Sequence, residues 1–289
     1  MHGYILITGA TGFLGSHLTH AVLEKGYTPV ILKRKTSDIS RIKDILKKIK
    51  IYDTDNLEMV FSDQHITAVF HTACCYGRKN ESLETVIQSN LVFGIKVLEK
   101  AICYNTDTFF NTDTLLQKYL NKYSLSKKQF VEWLKMKSDK IQIVNLKLEH
   151  MYGVGDDSSK FVKWILNQIL NNENEVKLTE GKQKRDFIYV SDVVAAYLLT
   201  LEKRKKLPSF SEFDVGTGNL ISIRDFVENL YEQAVKIHPE ISTKLLFGAV
   251  PYREGEQMEV KENVVPLKQL GWNPVVMYKD GIKELLNQE

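Results

Sequence analysis

Tyr123 and Lys127 stand four residues apart in Tyr-Ser-Leu-Ser-Lys, a spacing that puts a phenol and an ammonium on one face of a helix. A free phenol has a pKa of about 10. A neighbouring ammonium stabilises the phenolate and lowers that value, so the pair predicts a group that can give or take a proton near neutral pH. Thr112, at the end of the strand before, could set a hydroxyl beside the same reacting oxygen. Taken alone, the pattern describes a surface helix pair equally well.

A second constellation changes its weight. Tyr4-Ile5-Leu6-Ile7-Thr8 runs into Gly9, Gly12 and Gly15, and an apolar helical pattern follows. Strand, tight turn, helix in that order predicts a dinucleotide site. Gly9 allows the turn and Gly15 lets helix and strand approach, while Gly12 keeps side chains away from a diphosphate held at the helix N-terminus. Thr11, Phe13 and Leu14 complete the loop and its first turn. Lys33, Arg34 and Lys35 close the second strand, where an NAD site usually carries an acidic residue for the ribose. A guanidinium suits a 2′-phosphate, so the expected cofactor is NADP(H). The alternative is a solvated basic turn, with Asp38 reaching the ribose.

These groups need elements to hold them. Pro29–Leu32, Ala68–His71, Thr108–Asn111 and Ile141–Leu148 read as strands, and Ile39–Lys50, Leu83–Cys103 and Lys122–Met136 as helices. The alternation predicts an α/β chain: a Rossmann-type, doubly wound parallel sheet. The dinucleotide-binding part spans 1–150, with returns near 186–202 and 212–218. A smaller, interleaved substrate part takes 151–185 and 219–289. The chain has 289 residues, 43% of them apolar, and a net charge of +3, which is no footprint for nucleic acid. There is no apolar run of membrane-spanning length, Met-His-Gly leads straight into a strand with no sign of a signal peptide, and Cys74, Cys75 and Cys103 have no metal or disulfide spacing. A reduced cytoplasmic setting, with no metal, is expected. Trp133 and Trp164 read as core or interface, and Lys203–Lys206 as a solvated helix end.

The motifs together resemble the extended short-chain dehydrogenase/reductase family, in its nucleotide-sugar branch. The likeness rests on Gly9-x-x-Gly12-x-x-Gly15, His71-Thr72-Ala73, Asn90 followed by Gly94, Thr112, Tyr123 and Lys127. Arg185-Asp186-Phe187 through Val193, Arg253-x-Gly255-Glu256 and Leu270-Gly271-Trp272 extend it to the C-terminal region. The resemblance implies reduction, with NADPH, of the C4 ketone of a nucleotide-linked 4-keto-6-deoxy or 3,6-dideoxy hexose, CDP-linked and destined for surface polysaccharide. It assigns Tyr123 to protonate the C4 oxygen, Lys127 to hold the nicotinamide ribose and Thr112 to orient the carbonyl. Ala73 and Asn90 would line the cofactor; Asp113, Thr114, His150, Arg185 and Arg253 would meet the sugar nucleotide, the two arginines at its diphosphate. It also implies a homodimer through the Leu83–Cys103 and Tyr123 helices. The chain departs from the family in placing Thr112 only eleven positions before Tyr123 and in carrying Tyr189 where His is commoner. The branch's 4,6-dehydratases carry Thr-Asp-Glu at Thr112-Asp113-Thr114; elimination divides acid and base work between two carboxyls, and Thr114 cannot serve as the second. A 4-epimerase or dehydratase on the same fold, and a non-catalytic NADP sensor, are the competing readings.

Overall fold

A computed structural model describes residues 3–288. Met1 and His2, on which the reading of the chain's start partly rests, lie outside the described residues, as does Glu289. The strands are β1 (Tyr4–Thr8), β2 (Thr28–Lys33), β3 (Lys50–Asp53), β4 (Ile66–His71), β5 (Thr108–Thr114), β6 (Gln142–Leu148), β7 (His150–Tyr152), β8 (Glu175–Leu178), β9 (Lys184–Tyr189), β10 (Phe210–Val215), β11 (Leu220–Ser222) and β12 (Lys244–Phe247). The helices that matter most are α1 (Phe13–Glu24), α2 (Leu83–Ile87), α3 (Phe93–Cys103), α4 (Lys122–Met136), α5 (Phe161–Leu170), α6 (Val190–Lys203) and α7 (Ile223–Ile237).

Seven strands form one sheet in the order β10-β6-β5-β4-β1-β2-β3, and every pairing in it is parallel. Strands buried on both faces read as apolar runs: Ile5, Leu6 and Ile7 are fully buried, as are Val69 and Phe70. The order reverses between β1 and β4, so a ligand crevice opens at the carboxyl ends of those two strands. Two apolar clusters cover the sheet, one centred on α1 and α6, the other on α3 and α4. β7 and β11 flank β9 in a separate sheet, and β8 pairs with β12. The return near 186–202 therefore begins on a strand outside the main sheet and rejoins it only through α6, which packs on α1. The return at 212–218 enters the main sheet as its β10 edge.

Three local departures from the sequence reading have physical causes. Ser40–Lys48 coils as 3₁₀ turns rather than an α-helix, because Ile39, Ile42 and Ile45 recur at the three-residue period of that helix. Lys50, assigned to that helix, starts the edge strand β3. The long helix predicted over 83–103 carries one π-turn, Gln88–Val92, between α2 and α3. Trp133 is 45% exposed and so is no core residue, whereas Trp164 packs partly buried on the core. Among the described residues no helix is long and apolar enough to cross a membrane.

Candidate active site

The crevice between β1 and β4 is built mainly from backbone. Gly9 has φ +71°, and a Cβ there would press on the backbone of Ala73; a Cβ on Gly15 would overlap the Gly9 carbonyl. No side chain caps α1, whose N-cap is the exposed Gly12. The first-turn N–H groups thus face outward with the partial positive charge of the helix, which fits a diphosphate. Thr8 locks the two strand ends together: its Oγ1 lies 2.9 Å from His71 Nδ1, its carbonyl accepts from Thr72 Oγ1 at 2.7 Å, and Ala73 N donates to its Oγ1 at 3.3 Å. His71 is fully buried; burial, aided by the charge of Lys127, pushes its pKa down to about 3, so it stays neutral. Phe13 and Leu14 are buried behind the loop, while Lys33 is half-buried and Arg34 exposed. Asp38, the alternative ribose ligand, is tied to Ser40 by its N and Oγ, both at 2.9 Å.

Asn90 sits in the π-turn and ties three segments together. Its Oδ1 accepts from Cys75 N at 2.6 Å, and its Nδ2 donates to Cys75 O and to Ser126 Oγ, both at 2.9 Å. The bulge thereby sets α4 against the loop after β4. Asn121 caps α4, accepting from Ser124 N at 2.9 Å while its own N donates to Ser124 Oγ at 3.2 Å. Tyr123 follows in the first turn, half-buried, and Lys127 one turn on is 1% exposed. The expected lowering of the Tyr123 pKa is not what this site produces. Burial first, then the neighbouring Tyr76, Cys74 and Asp113, raise it well above the ordinary phenol value. Burial also pushes the Lys127 ammonium down, with Cys74 and Asp113 opposing. Tyr123 is therefore a protonated acid in the free protein. Its ring lies against Tyr76, centroids 4.9 Å apart.

Alternation along β5 divides the next three candidates. Asp113, 2% exposed, faces α4 and accepts from Lys128 Nζ at 2.8 Å. Thr112 turns to the other face, its Oγ1 2.5 Å from Tyr197 Oη on α6. Thr114 Oγ1 accepts from Leu116 N at 3.2 Å, and its carbonyl accepts from Lys128. Beside them runs a polar ladder: Asn111 to Asn145 at 2.7 Å, Asn145 to Glu212 at 2.8 Å, and Lys147 to Asp214 at 2.6 Å.

Two of the substrate candidates share a cluster. Arg185 is 8% exposed and pairs with Glu256 at 2.5 Å, and Glu256 N closes a turn onto the carbonyl of the exposed Arg253. His150 bonds Glu149 at 3.0 Å with its ring 5.7 Å from Phe187. The sequence reading missed three residues here. Arg41 donates to Gly155 O at 2.8 Å and Thr11 O at 3.4 Å, strapping the loop after β7 onto the glycine turn. Lys160, paired with Asp156 at 2.8 Å, lies 5.1 Å from the Phe13 ring and 5.6 Å from that of Tyr76. Tyr76, on Tyr123, is the third. Arg41 and Tyr76 have no spacing signal, since their partners are distant in the chain; Lys160 stands four residues after Asp156, a local spacing, but its approach to Phe13 and Tyr76 is long-range.

A parallel sheet with a bare helix terminus at its switch point and a Tyr–Lys pair on α4, its lysine buried, defines a nucleotide-cofactor enzyme of the extended short-chain dehydrogenase/reductase type. The model of the NAD dependent epimerase/dehydratase family matches residues 5–216, and the chain belongs to that family. It is 36% identical to a CDP-abequose synthase of Salmonella typhimurium, over 99% of this chain and 98% of that one, and 32% identical to one of Salmonella muenchen, over 99% and 97%. Among solved structures, the UDP-glucose 4-epimerase of Thermotoga maritima superposes with a TM-score of 0.84 at 21% identity, covering 98% of this chain and 97% of that one.

Proposed function

We propose that the protein reduces the C4 ketone of a nucleotide-linked 4-keto-6-deoxy or 3,6-dideoxy hexose, CDP-linked by likeness to its relatives, with NADPH as reductant. The observation that carries the reading is geometric: α4 carries Tyr123 and, one turn on, Lys127, and Asn90 ties that helix to the loop after β4. Tyr123 is there to supply the acid that a ketone reductase needs at the carbonyl oxygen. Asp113, locked to the Lys128 ammonium, and Thr114, which has no carboxyl, together lack the paired carboxyls that elimination uses.

The cofactor, when bound, supplies a hydride. Tyr123 then provides the proton at the carbonyl oxygen, Lys127 holds a positive charge beside it, and Thr112 orients the carbonyl. Gly9 to Gly15 would seat the diphosphate; Arg34, with Lys33 beside it, would meet the 2′-phosphate, a role supported by Asp38 being engaged with Ser40. Arg185, Arg253 and His150 would hold the sugar nucleotide. A homodimer through α3 and α4 would cover Trp133 and Met136, which are 45% and 57% exposed; light scattering on the purified chain tests it.

The deciding experiment offers protein and NADPH a panel of 4-keto-6-deoxy and 4-keto-3,6-dideoxy sugar nucleotides. The expected result is stoichiometric NADPH consumption with a 4-hydroxy product. Loss of water from an intact CDP-hexose, or C4 inversion without added reductant, would overturn the reading.

A further inference from the structure

Tyr197 of α6 is fully buried, its ring 5.3 Å from that of Phe70, which packs in turn on Phe110 at 4.9 Å. In that apolar surrounding its hydroxyl has one hydrogen-bond partner among the described residues, Thr112 Oγ1 at 2.5 Å. A phenol carries a single donatable proton, and buried donors are paired. Reversing the bond, with Thr112 donating, would strand the Tyr197 proton among hydrocarbon. The donor is therefore Tyr197, and Thr112 accepts. Thr112 then keeps its own proton with no partner among the described residues, half-buried at the carboxyl end of β5, the rim where ligands bind in such sheets.

We propose that Tyr197 is a positioning residue that, by donating to Thr112 Oγ1, commits the Thr112 proton outward to the oxygen of the bound substrate. Its role rests on the ketone-reductase reading above. Two donors then serve one oxygen: Tyr123, carried by α4, transfers its proton, and Thr112, turned to the opposite face of the sheet, holds a hydrogen bond that strengthens as charge develops on that oxygen. Without Tyr197 the Thr112 rotor is free to point its proton elsewhere.

A double-mutant cycle with Tyr197→Phe and Thr112→Val tests this, with Thr112→Ser as the variant that keeps the hydroxyl. Melting temperature reads the pairing without any turnover: Thr112→Val should lower it by leaving the phenol unpaired, and adding Tyr197→Phe should restore it. Turnover reads the positioning. Tyr197→Phe should lower kcat by about tenfold, less than the roughly 10²–10³ for losing a donor outright, with KM and cofactor affinity unchanged. It should cost nothing further in the Thr112→Val background, and Thr112→Ser, which keeps the hydroxyl, should recover turnover that Thr112→Val loses. Equal losses in both backgrounds, an undiminished kcat in Tyr197→Phe, or no coupling in the melting temperatures would overturn the proposal. A wild type inert on every 4-keto sugar sinks the functional reading and this role with it; the melting cycle still separates that failure from a wrongly assigned hydrogen bond.

Discussion

The two halves of the seven-stranded sheet end in surfaces of different kinds, suited on the proposed function to different parts of the ligands. At the ends of β1 and β4 the working surface is backbone: an uncapped helix terminus, Gly15 admitted against Gly9, and strand ends locked by Thr8. At the ends of β5, β6 and β10 it is side chains, with Asp113, Asn145 and Asp214 buried, Lys147 half-buried and Glu212 exposed, paired across strands. The contrast follows from the ligands. A diphosphate asks for a dipole and a close approach, which any chain with glycines in the right places supplies. A particular sugar asks for directed donors and acceptors. Buried charges are poor sources of stability but hold orientation well when paired, and the polar half can be read as the cost of aiming groups such as Tyr123 and Thr112.

The comparison can be broken most sharply at the proton donor. Tyr123→Phe keeps the ring against Tyr76 and removes only the proton, so turnover should fall by about 10²–10⁴-fold while NADPH affinity, measured by fluorescence titration, stays near wild type. Near-normal turnover would move the acid elsewhere. Next in size is the polar half's dependence on pairing. Lys128→Met takes the ammonium from Asp113, a carboxylate 2% exposed that then keeps only the long hydrogen bond from Asn145. Because the Lys128 side chain keeps 22% of its exposure, the loss should sit at the low end of the usual range, about 3 kcal/mol, read by urea denaturation. A loss under about 1 kcal/mol would show the ladder to be ordinary surface polarity.

The backbone half should respond more mildly and more selectively. Arg34→Ala removes one exposed guanidinium and should weaken NADPH by roughly tenfold, the worth of a charge-assisted hydrogen bond, with NADH unaffected. Equal effects on both cofactors would shift the role to Lys33, Lys35 or Arg41. The last expected effect is a pH slope. Glu262 is pushed up from 4.5 to about 9 by burial and then by Asp186. The folded chain keeps a proton there that the unfolded chain gives up near 4.5, so the stability this site contributes declines as pH rises from about 5 to about 9. Glu262→Gln, neutral throughout, should flatten the fall of melting temperature over that window; an unchanged slope would place the titration in another group.

Much of this protein was legible in its order of residues. Gly9, Gly12 and Gly15 are set by their spacing, and α4, found over 122–136 as expected, by an amphipathic repeat behind Asn121. Features of that kind are local: one turn of chain contains both the group and the reason for it. What escaped depends on chain segments far apart. The edge strand β3 is polar and half-exposed, so its pattern is weak, and the three-residue recurrence of Ile39, Ile42 and Ile45 in the 3₁₀ turns before it also fits one face of an α-helix. Arg41 reaches Gly155 across 114 positions, and Tyr197 reaches Thr112 across 85. The direction of the Tyr123 pKa lay beyond the pattern for the same reason. Sequence spacing supplies the phenol and the ammonium on one helix face, but burial shifts both, and the charges of Tyr76, Cys74 and Asp113 add to the shift of the phenol; only the folded chain brings these together.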